Sequence, residues 1–450
     1  MSLHEPFAFR SADELLAKAG ELDVDLPYQE SLSDLFESVN IGISKIPNRF
    51  AIQPMEGFDG KADGSPDDLT FRRYERFARG GSGLIWFEAT AVAPEGRSNP
   101  SQLMLTPSNL DVFKALLERT REVAIRSFGS RHELYCILQI THSGRFSRPS
   151  GKPRPWVACF NPLLDTSDRE LHVASDEELS RLEDVYVETA RLAFCAGFDA
   201  VDVKACHGYL VNELLGAHTR LDSQFGETFE KRTSFLLEIV RKIRANIPRL
   251  GLAVRLNTSD YLPFPYGFGM SKTSPAEPDS TEPMALITKL IDEGCLIFNI
   301  TLGYPYYAPH LGRPFDRPTR NTSPPDEHPL VGVSRLLKAA GIFQAAFSDI
   351  PFVSTGYSWL RHFFPHVGAA IVGQGKASFV GLGRASFAYP DAPRDLMDRG
   401  TLDPQKTCIT CSRCSELMRE GYSTGCVIRD DIYGSLYKRL LAHKKTGESA

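Results

Sequence analysis

No apolar run in this 450-residue sequence approaches the length of a membrane span. Positive charge is not in excess: 51 lysines and arginines face 56 aspartates and glutamates, and the net charge of −5 gives no basic field for nucleic acid or an anionic membrane surface. The opening MSLHEPFAFRSADELL lacks the apolar stretch and small-residue cleavage site of a secretory signal, so a cytoplasmic location is expected. Internal repeats are missing. No G-x-G-x-x-G follows the first expected strand, which counts against a doubly wound dinucleotide-binding sheet. Cysteine is sparse over most of the chain. Five of the nine (Cys136, Cys159, Cys195, Cys206 and Cys295) are scattered, as free thiols of a reducing compartment would be.

What is present is regular. Hydrophobic residues at 42% and charged residues at 24% are ordinary for a globular chain, and the length suits one large barrel with insertions or two domains. Apolar runs alternate with helical patterns, the signal for βα units and a parallel sheet. Strands are expected at Arg49–Pro54, Leu84–Glu88, Leu134–Ile140, Ala200–Lys204, Leu252–Leu256, Ile297–Thr301, Phe352–Thr355 and Ser378–Gly383. Helices are expected between them, at Asp68–Ala78, Asp111–Arg126, Asp176–Ala196, Phe229–Asn246, Met284–Asp292 and Val333–Ala346. Eight repeats predict an α/β fold of the (β/α)₈ TIM-barrel type. Residues 1–45 read as an N-terminal cap, 46–390 as the barrel and 391–450 as a C-terminal cysteine-rich extension. Two long Pro/Gly-rich segments, Pro263–Pro283 and Gly303–Pro329, follow the fifth and sixth strands, at the end where barrels build their sites.

The other four cysteines lie close together as Cys408-x2-Cys411-x2-Cys414-x11-Cys426. Three at successive i, i+3 spacing wrap one corner of an iron–sulfur cubane, whereas a structural zinc site usually has two separated C-x2-C pairs. Zinc stays open as the alternative.

The segments NRFAIQPMEG, GLIWFEATAVAPEGR, LQITHSGR, GFDAVDVKACHGYLVNELL with RLDSQFG, and FVGLGRA appear in order at expected strand ends. Together they resemble the old yellow enzyme family of FMN-dependent oxidoreductases. With the four-cysteine tail, the chain is similar to the branch of 2,4-dienoyl-CoA reductase and trimethylamine dehydrogenase, which carries a [4Fe–4S] cluster. The resemblance implies that Pro54, Met55 and Ala89 pack their backbone on the flavin ring and that Gln139 and Arg255 serve its polar edge. It also implies a phosphate pocket at Gly356, Gly383 and Arg384. Each has a plainer reading: the glycines as helix-entry turns, and Arg255 as a partner for Asp202 or Glu88. His142 and Arg145 match as well, in a structural role.

In the stretch Lys204-Ala205-Cys206-His207-Gly208-Tyr209, the resemblance implies that His207 holds a substrate carbonyl and Tyr209 donates a proton. Two positions depart from the pattern. Lys204 stands where relatives have histidine, and Glu56 where they often have cysteine or threonine. Glu56 either faces the flavin and lowers its potential or pairs with a lysine such as Lys204. The tyrosines of TLGYPYYAPH line a substrate pocket or only pack. The activity implied is reduction of an activated C=C, an enone or enoyl thioester, with electrons relayed through the cluster. The alternatives are an amine or C–H dehydrogenase or demethylase sending electrons out through it, and a non-redox barrel with a zinc loop. The expected partners are a small-molecule substrate, NAD(P)H as external donor, and a separate electron-transfer protein or reductase subunit, since no FAD-domain signature follows Cys426. A homo-oligomer is expected from the resemblance alone.

Overall fold

The computed structural model describes residues 3–446 apart from 167–169 and 321. Residues 1–2 of the expected cap and 447–450 of the expected extension lie outside the described residues. Eight strands close into one barrel: β1 (Phe50–Ile52), β2 (Leu84–Ala91), β3 (Tyr135–Thr141), β4 (Ala200–Val203), β5 (Gly251–Asn257), β6 (Cys295–Thr301), β7 (Phe352–Ser354) and β8 (Phe379–Leu382). All pairs are parallel, and β8 returns to β1 with Val380, Gly381 and Leu382 beside Phe50, Ala51 and Ile52. Every strand falls on one of the expected apolar runs. The strands are apolar throughout because helices cover their outer face while the interior packs on itself.

The helices obey their end signals. Ser175 and Glu178 form a capping box at the start of Asp176–Ala196, and Gly197, at φ 98°, turns the chain out of it. Sequence periodicity misses Leu210–Leu215, because all six of its residues are buried and leave no polar stripe to mark a helix. Phe364–Gly373 is missed for a similar reason, being apolar over most of its surface.

A hairpin of Val39–Ile41 and Ser44–Ile46 seals one end of the barrel. Its Ile41 and Ile46 join a core of inward-facing residues that includes Trp86, Tyr135, Ile137 and Phe379. With that end plugged, the mouth lies at the C-terminal ends of the strands. The helix Asp431–Thr446 packs through Tyr433, Tyr437 and Leu440 on Leu417. Asp430, just before it, accepts hydrogen bonds from Arg72 at 2.8 Å and from Arg76, both on the helix Asp68–Arg79. Among the described residues, no helix is long and apolar enough to cross a membrane.

One buried ion network shapes the mouth. Arg73, 4% exposed, pairs with both Asp59 and Glu88, and the Gly57 N–H donates to Glu88 at 2.8 Å. The loop after β1 is thereby fixed to the end of β2. Removing the cation leaves two buried carboxylates facing one another, so Arg73→Met is expected to cost about 3–5 kcal/mol. Chemical denaturation measures this; a loss under about 1 kcal/mol, the scale of an exposed ion pair, would show that the network holds nothing together.

Candidate active site

The mouth contains a cavity enclosing ≈ 1300 Å³ of non-atom space, open solvent at its entrance included. Five strand ends contribute: Gln53 through Glu56 after β1, Lys204, His207 and Tyr209 after β4, Arg255 on β5, Thr355 and Gly356 after β7, and Gly381 through Arg384 at β8. The loop after β6 adds Pro305, Tyr306 and Arg313, and the chain beyond the barrel adds Cys414, Met418, Arg419 and Thr424. Fourteen of the expected residues therefore meet here or in the adjoining cysteine pocket. Sequence reasoning did not single out Gln53, although it lies within the NRFAIQPMEG segment, nor Arg313, Met418, Arg419 and Thr424, which belong to no motif and are brought in by chain segments distant in sequence.

At one side of the cavity stands a charged trio. The Lys204 ammonium lies 3.7 Å from the Glu56 carboxylate and 3.5 Å from the centre of the Tyr209 ring. The Tyr209 hydroxyl donates to Glu56 at 3.1 Å, and Ser98 donates to the other Glu56 oxygen at 2.9 Å. Glu56 pairs with Lys204, the second of its two alternatives, and it also lines the cavity. Burial lowers the Lys204 ammonium, while Glu56 opposes that shift. Burial raises the Tyr209 phenol well above its ordinary value, and the Glu56 charge adds to this. Burial, then Arg255 and Lys204, hold His207 well below the usual imidazole range, so it is neutral.

His207 sits at φ 66°, a left-handed conformation unusual for a side chain with a Cβ, and Gly208 follows at φ 72°. A Cβ on Gly208 would strike the Tyr304 ring, so this turn requires glycine. The pair of left-handed residues swings Tyr209 back over Lys204 before the helix Leu210–Leu215 begins.

The same cavity is rich in donors without partners. Arg255 Nε, Arg313 Nε, Arg384 Nη1 and Gln53 Nε2 are buried and make no hydrogen bond. The Arg255 side chain does not pair with Asp202 or Glu88. Asp202 accepts instead from the Arg255 backbone N–H at 2.7 Å, from Trp86 at 2.8 Å and from Gln139 at 2.6 Å. Burial raises the Asp202 carboxyl to about 6. Gly356, at φ 107°, and Gly383 place bare backbone beside Arg384. Burial and the neighbouring Arg384 lower Arg313 to about 10. Unpaired buried cations and amide donors in one cavity fit an anionic ligand rich in acceptors, and FMN, a phosphate joined to a polar-edged ring, is such a ligand.

Two expected residues stand elsewhere. Gln139 and Ala89 do not line the cavity: Gln139 is bound to Asp202, and the Ala89 carbonyl accepts from Gln102 at 3.0 Å. His142 and Arg145 are structural, as expected. Burial lowers His142 to about 3, and Arg145 pairs with Glu213 and Asp165.

Cys408, Cys411, Cys414 and Cys426 all line a second cavity, and Arg384, Phe387 and Cys414 border both. All four are free thiols. Burial pushes Cys408 up to about 11 and Cys426 up to about 12, with Arg384 pulling Cys408 the other way. Among the described residues, no group of three or more His, Cys, Asp or Glu is gathered so as to hold one metal ion. Tetrahedral zinc draws its sulfurs to about 2.3 Å from a single point, whereas a cubane holds its ligands at separate corners. The loop after β6 is docked on this cysteine segment. Ser412 donates to the Arg317 carbonyl at 2.7 Å, Arg419 to Thr319 at 2.6 Å, and the Arg320 N–H to Glu416 at 2.7 Å.

Comparison with known proteins agrees with this architecture. The chain is 28% identical over 392 residues to an NADH oxidase of Thermoanaerobacter brockii, covering 84% of this chain and 53% of that protein. It thus spans about half the length of that relative. Among solved structures, 2-naphthoyl-CoA reductase superposes with a TM-score of 0.71 at 19% identity, over 90% of this chain and 58% of the other. The 6-hydroxypseudooxynicotine amine oxidase of Pseudomonas geniculata N1 superposes with a TM-score of 0.68 at 18% identity, over 89% and 54%. At those identities the superpositions establish the fold alone. The sequence profile of the NADH:flavin oxidoreductase / NADH oxidase family matches residues 34–268, more than half of the chain, and the protein therefore belongs to that family of FMN-dependent oxidoreductases.

Proposed function

We propose that this chain binds FMN across the mouth of the barrel and exchanges hydride with a small organic molecule seated over Tyr209. The observation that carries the proposal is that one cavity is lined both by buried arginine and amide donors without partners and by the Lys204–Glu56–Tyr209 trio. Gly356, Gly383 and Arg384, with Arg313 from the loop after β6, would hold the phosphate. Arg255 and Gln53 would serve the polar edge of the ring, with Pro54 and Met55 against its face. When bound, FMN supplies the hydride chemistry and the means of passing electrons on singly.

The remaining work falls to the chain. In reduction of an activated C=C, negative charge grows on the conjugated carbonyl oxygen, where Lys204 and the neutral His207 act as donors. Tyr209 then gives the proton to carbon. One observation favours the reverse sense, oxidation of an amine or C–H bond: the Tyr209 hydroxyl is already turned to a carboxylate. The structural neighbours include both senses, a reductase and an amine oxidase. The relative named NADH oxidase supports NAD(P)H as the external reductant of the first sense. Cys408, Cys411, Cys414 and Cys426 would hold a [4Fe–4S] cluster, separated from the flavin cavity by Arg384 and Phe387 and exchanging electrons with a separate protein. In the domain division proposed, 1–45 caps the barrel, 46–390 forms it and 391–450 carries the cluster.

Three outcomes are expected. In anaerobic stopped-flow experiments, Tyr209→Phe slows reoxidation of the reduced protein by 2-cyclohexen-1-one about 10²–10⁴-fold and leaves FMN bound; an unchanged rate removes Tyr209 from the reaction. Bleaching of the oxidised protein by an amine would establish the oxidative sense instead. Arg384→Met weakens FMN binding about tenfold or more, as loss of a charge-assisted hydrogen bond should, and titration of flavin fluorescence reads it. Cys411→Ala loses iron and keeps FMN; iron retained in full contradicts the ligand assignment.

A further inference from the structure

Glu56 does more than pair with a lysine. Its carboxylate is met from three directions: by the Tyr209 hydroxyl at 3.1 Å, by the Ser98 hydroxyl at 2.9 Å and by the Lys204 ammonium at 3.7 Å. Two donated hydrogen bonds and an adjacent cation thus converge on one carboxylate. The Tyr209 hydroxyl donates to this carboxylate and also meets the Tyr306 hydroxyl. Glu56 and Tyr209 both line the open cavity, in hydrogen-bond contact with one another.

We propose that Glu56 is the proton store behind Tyr209, so that Tyr209 and Glu56 act as a two-step relay whose resting form accepts a proton. This rests on the reading of the cavity as a redox site. As a substrate N–H or O–H is deprotonated, that proton passes to the Tyr209 oxygen while the proton already on Tyr209 passes to Glu56. One O–H bond forms on each of Tyr209 and Glu56, and one bond to hydrogen breaks on each of the substrate and Tyr209. The tyrosine ends as it began and the carboxylate ends as a carboxylic acid. The electron pair of the neighbouring C–H leaves as hydride to an oxidant of the flavin class, and the product is C=N or C=O. In the reverse sense, protonated Glu56 refills Tyr209 after it has given its proton to carbon. Glu56 acts through Tyr209 and is a positioning and proton-holding residue.

Lys204 fits this arrangement by touching both members. Its ammonium over the Tyr209 ring stabilises phenolate character, and its charge beside Glu56 offsets the carboxylate's repulsion of that phenolate. Glu88, Asp202, Cys206 and Arg255 are the other charged or titratable groups acting on Glu56 or Lys204. On the solvent side Tyr306 faces Tyr209, with Arg148 and Arg419 beyond it.

The test places 3,5-difluorotyrosine, whose phenol ionises several units lower than that of tyrosine, at position 209 and follows its titration by fluorine NMR in the full chain with FMN bound. Glu56→Gln should lower the midpoint by about one unit, because a like charge is removed, and Lys204→Met should raise it by about the same amount. Glu56→Asp should fall between wild type and Glu56→Gln, which covers the case in which the glutamine variant folds poorly. Midpoints that coincide in wild type, Glu56→Gln and Glu56→Asp overturn the relay. A second readout is the pH profile of reoxidation by 2-cyclohexen-1-one. In this direction the relay must take up a proton for each turnover, so the wild-type rate should fall as pH rises, and Glu56→Gln should lose that limb. If the midpoint moves as expected but no enone reacts, the relay stands and the reductive reading fails.

Discussion

A charge taken out of water must find a partner, and that requirement organises the mouth of this barrel. Arg73 is answered by Asp59 and Glu88, and Lys204 by Glu56, so the first strand's loop is held on both sides by ion pairs. Asp202 is answered by a backbone N–H, an indole and an amide rather than by a cation. What remains is a surplus. Arg255, Arg313 and Arg384 keep buried donors with nothing to receive them, all in the same cavity. The surplus is positive, and it stands where barrels commonly bind phosphate. A protein that leaves several such groups unsatisfied at one place is built to have them satisfied by a ligand.

The segment beyond the barrel belongs to the same account. It supplies Met418, Arg419 and Thr424 to the cavity wall, and the Thr424 N–H donates to the Gly57 carbonyl at 2.6 Å, on the loop that carries Glu56. Through Ser412, Glu416 and Arg419 it also holds the loop after β6, whose Tyr306 ring stacks on Phe146 at 3.8 Å at the cavity entrance. The cysteine pocket, the lid and the reactive trio are therefore one connected construction, with Arg384 and Phe387 as the partition between the two cavities.

The barrel was legible in the sequence because eight apolar runs separated by helical patterns have few other solutions. Lys204, His207 and Tyr209 were legible because strand ends and the turns after them project to one mouth. Two matters were not. Gln139 and Ala89 match a motif, yet in this chain Gln139 is taken up by Asp202, and a motif does not record such competition for a side chain. Arg313 and Arg419 match no motif, and they reach the cavity only because the loop after β6 and the terminal segment converge on the end of strand β1 there. The choice between the two alternatives for Glu56 also needed three dimensions, since Ser98 and Tyr209 are remote from it in sequence.

The measurement that bears most directly on the central claim is the content of flavin, iron, acid-labile sulfide and zinc in anaerobically purified protein. One FMN with about four irons and four sulfides per chain is the expected result, from a phosphate-binding surplus of arginine beside a four-cysteine pocket. Zinc without iron, or a protein that takes up no FMN on reconstitution, would contradict it and leave only the barrel.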